Sequence, residues 1–335
     1  MRGAVLIILS VVFLAGCMRE PSTPVMPHAT EMVSAALTKI NLSEEATSLP
    51  PINPTDTSTV TTDQETTNPT VAVCDPATSG FCVVDGHLLF NRPIALSGNN
   101  KVESTYRYGS TQYDLREPHH GVEFANPFAT PVLAAADGIV VFAGSDDKAE
   151  LSPWPDFYGN AVAIKHSFGE QDLFTLYGHL SKIDVATGDL INAGTKVGEV
   201  GASGAAVGSH LHFEVRTDEN KYGSTRNPEL WLIPEGENGV LGLRIAGKND
   251  TLVPVTLNIQ TIYPDGTLKS IAQPEAYAFI EKIPVSSDNV YGENFALGDL
   301  PAGNYRLSFV LSGKLHERLI KIEPGKLTIV EITIK

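Results

Sequence analysis

The sequence predicts a mainly β protein, an antiparallel sheet core followed by an all-β sandwich, and three observations predict it. Short apolar runs alternate with turn residues between Val83 and Ile233, long helical periodicity is absent there, and beyond Asn238 apolar residues alternate at sandwich-like spacing. The 335 residues suit two domains plus a linker, and the 42% hydrophobic content suits a globular core. A net charge of −15 without a Lys/Arg cluster argues against nucleic acid as partner, because phosphate binding draws on concentrated basic surface.

Residues 1–16 read as an export signal. Arg2 supplies a minimal positive start, and Ala4–Leu14 is apolar but too short to span a bilayer as a helix. Leu14-Ala15-Gly16-Cys17 is similar to the lipobox of bacterial lipoproteins, which implies a lipidated Cys17 and a membrane anchor at the cell envelope. An ordinary secretory signal with an incidental cysteine is the alternative, and both export the chain.

Residues 17–82 read as a tether. Its Ser, Thr, Pro and Glu content buries too little apolar area to offset chain entropy, with one marginal amphipathic helix over Glu31–Leu42. Cys74 and Cys82 close a short loop and suit a disulfide in an oxidising compartment, with two free thiols as the alternative.

Residues 83–233 form the predicted sheet core. Strands are expected at Pro131–Ala135, Gly138–Phe142, Ala161–Lys165, Leu173–Tyr177, Lys196–Val200 and His210–Val215, separated by turns such as Asp137-Gly138 and Gly159-Asn160. After Pro234–Gly239, read as a hinge, residues 240–335 form the sandwich. Val255, Leu257 and Ile259 alternate, as do Tyr305, Leu307, Phe309 and Leu311. Leu300–Arg306 and the strand after Pro324-Gly325-Lys326 resemble transthyretin-like, carboxypeptidase-regulatory-like sandwiches.

The chemistry centres on His210-Leu211-His212. Alternate strand residues share a face, so these two imidazoles are presented side by side. A further nitrogen and a carboxylate from another segment would join one of them in a three-ligand zinc site with an open position for water. Upstream lie His119, Glu123 and His179. His28, His87, His166 and His316 read as surface or hydrogen-bonded residues. The stretch Gly201–Gly208 is a poor phosphate loop, since no G-K-[ST] follows and it leads into a strand.

Several ordered motifs carry a family resemblance across Arg107–Pro228. His119-His120-Gly121-Val122-Glu123 resembles the H-x-G-x-D motif of the LytM/lysostaphin-type zinc endopeptidases, Tyr177-Gly178-His179-Leu180 their Y-x-H-L, and His210–Glu214 their H-L-H-F-E. The resemblance implies the duplicated hybrid motif fold, with His119, Glu123 and His212 as zinc ligands and His179 and His210 as the catalytic pair. It further implies hydrolysis of peptide bonds in peptidoglycan crosslinks or stem peptides. Two positions depart from the family: Glu123 stands where aspartate is usual, and Ser209 where proline is common.

Three alternatives stand beside that reading. The same groove could bind cell-wall peptide or regulate a partner hydrolase without catalysis, or act on proteins instead of cell wall. His120-Gly121-Val122-Glu123 also fits an H-x-x-E zinc motif, which needs a parallel α/β domain that the turn-rich pattern disfavours.

Overall fold

The computed structural model describes residues 74–278 and 285–334. The export signal, Cys17, the Ser/Thr/Pro-rich stretch and the helix expected over Glu31–Leu42 lie outside the described residues.

A seven-stranded antiparallel sheet carries the chemistry. Its order runs Thr225–Arg226, His210–Thr217, Gln171–Leu180, Asn160–Phe168, Gly138–Ser145 and Leu190–Ile191, and Val122–Ala125 also pairs with His210–Thr217. All six expected core strands form, most of them a few residues longer or shorter than read. Along His210–Thr217 the alternation is strict: Leu211, Phe213 and Val215 are fully buried in the main core with Val122, Phe124 and Tyr177. Each such side chain contributes about 1.5–3 kcal/mol of apolar burial. That burial fixes the register, because a slip of one residue would turn the whole apolar set outward. The opposite face therefore presents His210, His212, Glu214 and Arg216.

Beyond Ile233 two four-stranded sheets face each other. One is ordered Cys82–Val84, Leu327–Thr333, Asn238–Ala246, Phe295–Pro301, the other Leu268–Ala272, Asn258–Ile262, Gly303–Leu311, Lys314–Ile322. Leu241, Leu243, Ile245, Leu307, Val330 and Ile332 fill the space between them. The strands expected from the alternations at Val255–Ile259 and Tyr305–Leu311 are present, and the strand after Pro324-Gly325-Lys326 is Leu327–Thr333.

Contacts cross both limits expected from the sequence. Val240, Ala296, Leu327 and Ile329 point away from the second core and pack with Leu230 and Trp231 in the first. Arg107 pairs with buried Glu229, whose carboxylate also accepts the Gly298 amide at 2.7 Å, while Glu235 N–H donates to Asp299. Pro234–Gly239 is thus a packed crossing and not a free hinge. Local composition suggested flexibility, but contacts from residues far along the chain decide the outcome. The end of the expected tether also differs. Cys74 and Cys82 form a disulfide around a short turn, Pro76–Ser79, capped by Asp75, and Cys82–Val84 adds an edge strand to Leu327–Thr333. A three-residue apolar run is too short to read as a strand from pattern alone.

Candidate metal centre

The register brings the site together. His212 stands directly opposite Glu123 on one side and Gly178 on the other, and paired residues share a face of the sheet. His119 lies just ahead of that strand, with its N–H bonded to the Ser110 carbonyl. Gly121 is required by crowding, since a Cβ there would lie 2.5 Å from the Phe213 carbonyl and 2.9 Å from His212 Nε2. His119, Glu123 and His212 converge, each offering one donor atom, with all three atoms within 4.8 Å of one another.

Hydrogen bonds fix the tautomers. His119 Nδ1–H donates to the Tyr106 carbonyl at 2.8 Å, and the two rings stack at 4.1 Å. His212 Nε2–H donates to Glu214 Oε1 at 3.0 Å. Glu214 is fully buried and also accepts from the Tyr158 hydroxyl at 2.5 Å and from Arg216 Nε at 2.7 Å. Burial is the largest influence on this carboxyl and opposes ionisation, yet Arg216, His212 and Tyr158 together hold it down to about 2. It is therefore an anion that can only accept.

The consequence is a pair of opposed lone pairs. His119 Nε2 and His212 Nδ1, both without a proton in these tautomers, face each other at 3.2 Å. Burial, then the neighbouring His212, pushes His119 well below its ordinary range, so no proton on His119 relieves the contact. A cation between them does. Glu123 Oε1 lies 3.8 Å from His119 Nε2, and tetrahedral ligands at about 2.1 Å from zinc stand roughly 3.4 Å apart. The donor set and spacing fit a three-ligand metal site, and the extra methylene of Glu123 is accommodated.

His179 and His210 line the same cavity, ring centroids 4.9 Å apart. His179 Nδ1–H donates to the Ser203 carbonyl at 2.9 Å, and His210 Nδ1–H to the Gly208 carbonyl at 3.2 Å. Both Nε2 atoms are thereby left as acceptors, and that of His210 is buried without a protein partner. Burial, then His212 and His210, takes His179 down to about 3; burial also lowers His210, against the pull of Glu123. His179 has φ +63, a left-handed conformation that is costly for a residue with a Cβ and recurs at functional positions. The Ser203 carbonyl is set by a close approach: Gly204, at φ +68, packs where a Cβ would lie 2.4 Å from the Gly159 nitrogen.

His120 turns away from this cluster. Its Nδ1 bonds Thr225 Oγ1 at 3.1 Å and its ring stacks on Tyr222, so the H-x-x-E alternative has no geometric basis. His166 is buried between the Asp137 carbonyl and Thr175, and His87 stacks on Trp231. Sequence reasoning missed Tyr106, Tyr158, Glu214 and Arg216 as parts of the site. For Glu214 and Arg216 a signal existed, since they continue the His210, His212 alternation as charged residues on a strand buried on both faces.

These features define a β-sheet protein with a His–Glu–His cluster, its histidines buried and Glu123 half-buried, at the floor of a cleft. Residues 117–224 match the model of peptidase family M23. It is 38% identical over 119 residues to the DD-carboxypeptidase/endopeptidase Mpg of Neisseria meningitidis, covering 36% of this chain and 24% of that protein. It is 32% identical over 120 residues to the peptidoglycan DD-endopeptidase ShyC of Vibrio cholerae, again covering 36% and 24%. Among solved structures, a zinc containing peptidase from Vibrio cholerae is 32% identical over 40% of this chain and 38% of that one, with a TM-score of 0.32. The chain spans about a quarter of the length of these curated relatives.

Proposed function

We propose that this protein is a zinc metalloendopeptidase that hydrolyses peptide bonds in peptidoglycan crosslinks or stem peptides. The observation that carries the reading is the facing pair His119 Nε2 and His212 Nδ1, with Glu123 beside them. His119, Glu123 and His212 would hold zinc. When bound, zinc supplies a Lewis acid and lowers the pKa of a coordinated water. The protein's own groups handle the proton: His210 Nε2 and His179 Nε2, each with its Nδ1–H tied to a carbonyl, are acceptors placed to take a proton from an attacking water. Once protonated, the same atoms become donors for an oxyanion developing at the attacked carbonyl. Their lowered pKa values keep both rings neutral at neutral pH. The peptidoglycan substrate is supported by the names of the relatives.

The domain limits read from sequence, 83–233 for the peptidase and 240–335 for an accessory sandwich, belong to this proposal, as does export with lipidation at Cys17. Elemental analysis of the purified protein and mass spectrometry of digested peptidoglycan test it. One zinc per chain and new peptide termini are expected, with both lost in His212→Ala and only the termini lost in His210→Ala. Zinc bound without cleavage of any peptide bond would favour the alternative, a groove that binds cell-wall peptide.

A further inference from the structure

The cleft has two unlike halves on either side of His119 and His212. One, of about 400 Å³, is walled by Tyr106, Trp154, Phe157 and Tyr222. The other, of about 270 Å³, contains Gln112, Arg116, His179, Val207 and His210. Arg116 is the only Lys or Arg lining either half, in a chain whose net charge is −15. It makes no ion pair among the described residues. Its guanidinium lies over the Tyr106 ring, 5.0 Å from the centroid, and Tyr106 stacks in turn on His119. Such a stack orients the guanidinium without consuming its hydrogen-bond donors. The only carboxylate in that half is Glu123, already committed to the metal centre.

Building on the peptidase reading, we propose that Arg116 is a specificity-determining residue that selects substrates carrying a free carboxylate next to the scissile bond. The carboxylate lies on the His179/His210 side of the metal centre, and the aromatic half takes the uncharged portion of the peptide. A planar guanidinium matches a carboxylate with two parallel N–H···O bonds, whereas a carboxamide can accept only one and turns its own N–H₂ toward a donor. The preference therefore belongs to binding as well as to turnover.

The test uses the full chain loaded with zinc and two synthetic peptides that differ only in a carboxylate or carboxamide beside the scissile bond. The chain has two tryptophans, Trp231 buried and Trp154 in the cleft, so quenching of Trp154 emission reports binding independently of cleavage. Wild type should bind the carboxylate peptide about tenfold more tightly. Arg116→Gln should bind both peptides equally, at the carboxamide level, with zinc content unchanged, and Arg116→Lys should keep part of the preference. Equal binding of both peptides by wild type, or a preference that survives in Arg116→Gln, overturns the proposal. Discrimination in binding without cleavage of either peptide would retain Arg116's role and count against the peptidase reading instead.

Discussion

His212 donates its Nε2–H to Glu214 Oε1 at 3.0 Å, from a position two residues away on the same face of the same strand. The bond decides which nitrogen of His212 is free to face His119, and so the metal centre depends on a carboxylate that never touches it. Loss of such an outer partner typically costs about 10–100-fold in metal affinity. Glu214→Gln keeps the shape but removes the charge that balances Arg216. We expect zinc affinity, measured by competition with a chelating dye, to fall within that range. Unchanged affinity would show that the tautomer is held by other means.

Zinc should raise the melting temperature. A cation among the opposed nitrogens and Glu123 relieves them, and a ligand bound to the native state alone stabilises it in proportion to its saturation. His212→Ala should abolish the zinc-dependent shift in calorimetry, while His179→Ala, whose ring lies outside the ligand cluster, should keep it. An equal loss in both would reject the division of roles.

Glu123→Asp should weaken zinc binding by more than the loss of an outer partner does. The longer side chain brings Oε1 to 3.8 Å from His119 Nε2 and 3.6 Å from His210 Nε2, and shortening it by one methylene withdraws that oxygen from a backbone fixed by pairing with His212. Titration with zinc should show the deficit. Equal or tighter binding would mean that the site accommodates aspartate as well as glutamate.

A chain ended after Glu235 should fail to form the native core around the His–Glu–His cluster. The cut exposes Leu230 and Trp231, removes the partner of Cys82–Val84, and deletes the clamp on the segment that supports His119. In that clamp the Tyr108 hydroxyl bonds the Ser286 backbone, Tyr277 packs edge-on against Tyr108, and Glu275 accepts from Ser110 Oγ at 3.0 Å. Near-UV circular dichroism should show lost tertiary packing. In the full chain Tyr108→Phe should cost about 1–3 kcal/mol in urea unfolding, because it strands buried partners.

Above about pH 6.5, where the buried histidines with lowered pKa values no longer add stability with rising pH, Glu293 should make stability fall as pH rises toward 8. This carboxyl is fully buried with no cation beside it, and burial pushes it up to about 8 despite hydrogen bonds from the Tyr277 hydroxyl and the Asp288 amide. Its folded pKa lies above the unfolded value of about 4.5, so its stabilising contribution is complete below that value and is lost as pH rises through 8. The slope from one such group is at most about 1.4 kcal/mol per pH unit. Glu293→Gln should flatten that fall, measured by urea unfolding from about pH 6.5 to 9.

Much of this architecture is legible in the residues themselves. The alternation through His210–Val215 announces both the strand and the face that carries the imidazoles, because side-chain direction in a strand is a local property. The convergence of His119, Glu123 and His212 was legible through motif order. What stayed hidden depends on distant chain: the Tyr106 carbonyl that orients His119, the approach of Tyr158 to Glu214, and the packing of Val240 and Leu327 into the first core. Pro234–Gly239 illustrates the limit, since Pro, Glu and Gly advertise a flexible joint whatever is later packed against it.

The pairing of Cys82–Val84 with Leu327–Thr333 joins the first described strand to the last. Contacts of such long sequence separation form late, because the entropy of closing the loop must be met before they are rewarded. The residues that brace the Tyr106–Ser110 segment, Glu275, Tyr277 and Ser286, lie in the same late-made portion. During synthesis the candidate ligands His119, Glu123 and His212 emerge well before the parts that align them. The order of the chain thus acts as a timer, delaying alignment of the cleft until the strand Leu327–Thr333 has been made.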